Sequence, residues 1–149
     1  MSERLSETAD ESIRAPGPVA VTSPDGLSAE INVVKTGPVG VIIDRLRVTG
    51  PAGDIAERTN TLADTLRPNG TALSPIEIDP RLGGATLRSP LDRQRRFFEA
   101  EVTEDAIQLT RNRVSDDGVR EPTDFSLTRE ALREILDGIE DMMLPEDED

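Results

Sequence analysis

The chain has no cysteine, no histidine, no tryptophan and no tyrosine, and its only lysine is Lys35. Without cysteine there are no disulfides, no thiolate metal centres and no cysteine nucleophile. Without histidine, the commonest general base, the usual pH switch and the usual transition-metal ligand are lost together. Any catalysis would rest on carboxylates, arginines, hydroxyls or one lysine. There is no G-x-S-x-G elbow, no P-loop and no G-x-G-x-x-G, so the pattern predicts a protein that is not an enzyme and carries no cofactor. Long apolar runs are missing as well. The longest aliphatic stretch, around "VIIDRL", is too short to span a bilayer, and "MSERLSETADES" has no apolar signal region, which together predict a cytoplasmic protein.

What the chain has in excess is negative charge. Lys+Arg 17 against Asp+Glu 30 leaves a formal net charge of −13 over 149 residues. That length fits one domain, and the charge repels phosphate polymers and anionic lipid, so a protein partner, possibly a basic one, fits better than nucleic acid or membrane. The lysine-poor, arginine-rich balance is open to two readings, a coding bias or adaptation to high salt.

Against this background "RQRRFF", residues 93 to 98, stands out. Arginines beside aromatics can hold a phosphate backbone and stack bases. Alternation instead assigns Phe98 to a core and turns Phe97 to the opposite face, where an exposed aromatic among Arg93, Arg95 and Arg96 is the pattern of a protein interface.

Residues 1–18 are polar and carry only Leu5 and Ile13 as sizeable apolar side chains, too few to offset the entropy of ordering, and predict a flexible arm. A single domain is expected over 19–144, and an acidic, disordered tail over 145–149. "GLSAEINVV" alternates as a half-buried strand; "VGVIIDRLRV" is apolar at both parities, as in a central strand covered on both faces. Asp54 is placed to cap a helix with Ile55, Thr59, Leu62 and Leu66 on its apolar face. From residue 72 onward short strands alternate with turns, with Pro75 marking an edge strand and Ile76 and Ile78 on one strand face. Glu99 and Glu101 share an outward face. They are the carboxylates best placed to meet a divalent ion, but no EF-hand spacing exists and no metal is expected.

The last element is the clearest. Thr128 is a good N-cap, Leu127 can staple onto Leu132, and Leu132, Ile135, Leu136, Ile139, Met142 and Met143 form one stripe. Gly138 on its flank would admit a close backbone neighbour. The fold expected is α+β: an antiparallel meander of about six or seven strands, one inserted helix, and a C-terminal helix packed on the sheet. The function expected is a non-catalytic interaction module, an adaptor or chaperone-like binder that self-associates as a homo-oligomer. Its partner-binding residues would be Arg93, Arg95, Arg96 and Phe97, with Leu132, Ile135, Ile139 and Met142 on the helix. The alternative is a small-ligand domain with a pocket between sheet and C-terminal helix.

Overall fold

The computed structural model describes residues 4–144, so the expected acidic tail lies outside the described residues. The elements run α1 (Leu5–Ser12), β1 (Gly17–Thr22), β2 (Ser28–Thr36), β3 (Gly40–Thr49), α2 (Ile55–Thr65), β4 (Ser74–Asp79), β5 (Gly84–Arg88), β6 (Arg96–Val102), β7 (Ala106–Val114), β8 (Arg120–Thr123), β9 (Phe125–Thr128) and α3 (Arg129–Met143). The strands form one antiparallel sheet in the order β1-β2-β3-β7-β6-β5-β4, with β8 added to β7 and β9 to β3. The class, the inserted helix and the C-terminal helix on the sheet are those the sequence pattern predicts. Nine strands are described rather than six or seven, partly because the chain from Arg120 to Thr128 makes two short strands with different neighbours. Among the described residues no helix is long and apolar enough to cross a membrane.

β3 is central, but its apolar residues at both parities have a different cause from the one the pattern suggests. Val41 and Ile43 pair with Leu127 and Phe125 of β9, whereas Leu46 and Val48 pair with Leu109 and Ile107 of β7. Between the two sets Asp44 is an extra residue, and the register against β2 slips between Asn32 and Val33. A bulge shifts alternation by one residue. All four side chains therefore point to one face and are buried there. The Asn32 Nδ2 group donates to Asp44 Oδ1 at 2.7 Å and holds the bulge.

The same bulge marks where the sheet divides. β8 runs inward along β7, the chain turns at Asp124, and β9 runs outward along β3. Phe125, at the root of this fork, is fully buried and meets Phe98 edge to face at 5.2 Å between centroids. At the far edge β4 carries Pro75 and a register slip before Glu77, both of which hinder pairing with another sheet. Ile76 and Ile78, expected on one strand face, are exposed along this edge, where the bulge falls on Ile76 and β4 is the last strand.

The helices cover one face of the sheet. On the other, the cross-strand rows read Glu30, Arg47, Gln108, Glu101, Thr86 and Asn32, Arg45, Thr110, Glu99, Arg88, and among the described residues no helix lies over them.

The expected arm is a helix. Leu5, Ala9 and Ile13 recur every fourth residue and all three are buried in the core. Counting only large apolar side chains missed Ala9, and it also missed the polar ties at both ends of α1. At its start the Leu5 N–H donates to Glu140 Oε1 at 2.9 Å, while Arg4 pairs with Asp137 at 2.9 Å and Asp141 at 2.7 Å. At its end Arg129, the first residue of α3, donates to Asp10 Oδ1 and to the Ile13 carbonyl, both at 3.0 Å. α3 thus satisfies the first N–H of this short helix and the Ile13 carbonyl at its end.

α2 and α3 begin as expected: Asp54 accepts from the Glu57 N–H at 2.8 Å, and Thr128 from the Ala131 N–H at 2.9 Å. Arg58, on α2, donates to the carbonyls of Glu104 and Pro51, and its guanidinium lies so close over Gly53 that a Cβ there would collide with it. In α3, Leu132, Ile135, Leu136, Ile139 and Met143 are buried against the chain's own core, and Met142 is half-buried. The fork and the two other helices cover Leu132, Ile135 and Ile139, where the strands alone were expected to leave part of the stripe open. Among the described residues nothing beyond the helix itself lies within 4 Å of where a Cβ on Gly138 would sit.

Replacing Leu5 with alanine should lower the free energy of unfolding by about 2–5 kcal/mol, the range for emptying a filled core position. Urea denaturation measures it, and an unchanged midpoint would contradict a packed α1.

Candidate functional site

The "RQRRFF" stretch folds into the end of a tight loop and the start of β6. Asp92 shapes the loop: its Oδ1 accepts from the N–H groups of Gln94 at 2.8 Å and Arg96 at 2.9 Å. Arg95 completes the turn with φ +62°, a left-handed conformation that favours glycine. The two phenylalanines that follow point to opposite faces, as alternation requires, and each is met by arginine.

On the core face the Arg111 guanidinium lies 4.8 Å from the centre of the Phe98 ring. Asp92 Oδ2 binds Arg96 Nε at 3.0 Å and Arg111 Nη2 at 3.1 Å, linking loop, strand and ring. Desolvation works against ionisation of Asp92, but the N–H groups of Arg96 and Gln94 and then the Arg96 side chain outweigh it, so its carboxyl titrates below the ordinary range. Arg111 is shifted downward by burial and by the charge of Arg96, with Asp92 opposing both. Its Nε is buried without a hydrogen-bond partner among the described residues.

On the open face Phe97 is only 5% exposed, so it is not the bare aromatic anchor that alternation suggests. Arg88 of β5 and Arg120 of β8 cover it, with guanidinium carbons 5.4 and 5.1 Å from the ring centre. Both donate to one carboxylate oxygen, Glu99 Oε2, at 2.6 and 2.8 Å. Glu99, expected in solvent, is buried with its charge matched twice. Each cation–aromatic contact stabilises by roughly 0.5–2 kcal/mol, and losing an arginine would leave a buried carboxylate short of a partner.

The expected site residues thus separate. Arg96 belongs to the core-face cluster and Phe97 to the open-face one. Arg93 and Arg95 stay exposed on the loop, and the α3 residues belong to the core. Arg88, Arg111, Arg120 and Asp92 were the groups missed, and Glu99, singled out as an outward carboxylate, is instead a buried ion-pair partner. Reading "ATLRS" and "FFEAEV" as adjacent strands is enough to set Arg88 opposite Glu99. Nothing local brings Arg120 there, because β8 arrives by way of the fork.

A shallow groove of about 350 Å³ lies between the β2–β3 hairpin and β9, and one of about 520 Å³ lies between α1 and α3. Comparison with protein-family models, curated proteins and solved structures finds no match for the chain.

Asp92→Asn should lower stability at neutral pH by about 1 kcal/mol, the scale for a partly exposed, hydrogen-bonded carboxylate. A depressed folded-state pKa gives stability that is present above the unfolded pKa, about 3.9, and is lost as pH falls through the folded value. The gap between wild type and variant should therefore close below about pH 4. Denaturation at pH 7 and pH 3 checks this, and a gap that stays constant would contradict it.

Proposed function

We propose that the chain is a non-catalytic interaction module of the cytoplasm that self-associates through the uncovered face of its sheet. Charge carries the reading. The helical layer is acidic: the groove between α1 and α3 is lined by Glu7, Glu11, Glu130 and Glu134, with Arg133 the only base among its lining residues. Two such layers repel each other. On the open sheet face Glu30, Asp44, Glu77, Asp79, Glu99 and Glu101 are interleaved with Lys35, Arg45, Arg47, Arg88 and Arg120, so both signs stand close to balance on one face of a chain whose net charge is −13.

An isologous contact needs both signs on the same patch, since each copy presents the same surface to the other. This face supplies them. Seven strands spaced by about 4.8 Å, and about 20 Å of strand length, give a projected area of roughly 600 Å². Side-chain relief raises the accessible area toward the ~800 Å² per partner of a standard interface. Arg88 and Arg120 add preformed contact points, because stacking on Phe97 and pairing with Glu99 already restrict their rotamers.

Wild type should sediment as a dimer at micromolar concentration, and Arg45→Glu with Arg47→Glu should sediment as a monomer with an unchanged circular-dichroism spectrum. Both arginines lie on the open face away from the Glu99 cluster. A monomeric wild type, or a variant that stays dimeric, would overturn the proposal.

A further inference from the structure

We propose that Arg93, Arg95 and Arg113 form a docking site for a carboxylate-rich segment of a partner protein. They meet where the loop before β6 lies beside the end of β7, around a bowl of about 400 Å³ whose rim also carries Asp116 and Asp117. Among the described residues Arg93 and Arg113 have no acid within ion-pair distance, and Arg95 reaches only Asp116, at 3.9 Å, whose side chain is fully exposed.

Two further features give this cluster a cost that the fold does not require. Arg113 stands directly opposite Arg96 in the β6–β7 ladder, where like charges destabilise a sheet, and Glu121, opposite it on β8, does not close an ion pair with it. Arg95 occupies a left-handed turn position that glycine would fill without strain. Its backbone is fixed there by an N–H bond to the Asp92 carbonyl and by the Val114 N–H donating to its own carbonyl, both 3.0 Å or shorter. A bound anion would relieve the first cost and make use of the second.

Guanidinium planes pair with carboxylates through two parallel hydrogen bonds. Phosphate polymers fit less well, because the chain's net charge repels an extended polyanion and the rim aspartates leave the bowl with an excess of a single positive charge. A short Glu- or Asp-rich peptide needs only local complementarity. This surface is separate from the open sheet face, so the two proposals fail independently.

The test is fluorescence anisotropy with a labelled oligoglutamate peptide, alongside competition by inorganic phosphate and by a single-stranded oligonucleotide. Wild type should bind the peptide and release it as salt rises. Arg93→Gln with Arg113→Gln should weaken binding about tenfold or more, on the scale of lost charge-assisted pairs. Arg95→Gly should also weaken binding while raising Tm, a combination that a purely structural arginine would not give. Arg45→Glu with Arg47→Glu should leave peptide binding unchanged. No peptide binding by wild type, equal binding by the bowl variants, or tighter binding of phosphate or oligonucleotide than of peptide would each overturn the assignment.

Discussion

At Asp44 the third strand takes in one residue more than its neighbours accommodate, and Asn32 holds the extra residue by donating to its carboxylate. The rest of the architecture follows from that bulge. Before it β3 pairs with β9, after it with β7, and the gap between the two is filled by the β8–β9 turn. The fork sets Phe125 against Phe98, starts α3 immediately after Thr128, and carries Arg120 across to cover Phe97. α3 in turn supplies Glu140, Asp137 and Arg129, which hold α1 at both ends.

The fold also sorts charge. Carboxylates crowd the helical layer, where they line a groove and tie down α1. The open sheet face balances glutamate with arginine, and the loop end of the sheet holds guanidiniums in excess. In a chain with so many acids a balanced face is the surface on which close approach costs least. Arginine suits this division because it stacks on rings and pairs with carboxylates at once, as Arg88 and Arg120 do around Phe97 and Glu99.

Where local physics decides, the sequence is readable. The caps at Asp54 and Thr128, the stripe of α3, the alternation of β2 and the edge position announced by Pro75 all appear in the structure. Where distant residues decide, it is not. Leu5 and Ile13 look insufficient until Arg4, Arg129 and Glu140 close both ends of α1. The run from Val41 to Val48 looks buried on both faces until the bulge is seen. Phe97 looks exposed until β5 and β8 bring arginines over it. The pairing of Arg88 with Glu99 follows from one hairpin and was within reach; the arrival of Arg120 depends on the fork, for which "VREPTDF" carries no local signal.

The absence of cysteine allows a direct test of the balanced face as the meeting surface. Thr110 lies near the middle of the open face and Glu134 on the exposed side of α3, so each can be changed singly to cysteine as the chain's sole thiol. A short bis-maleimide should link two copies through Thr110→Cys in high yield and leave Glu134→Cys largely unlinked. Linking through Glu134→Cys in preference to Thr110→Cys, or through neither, would contradict the account.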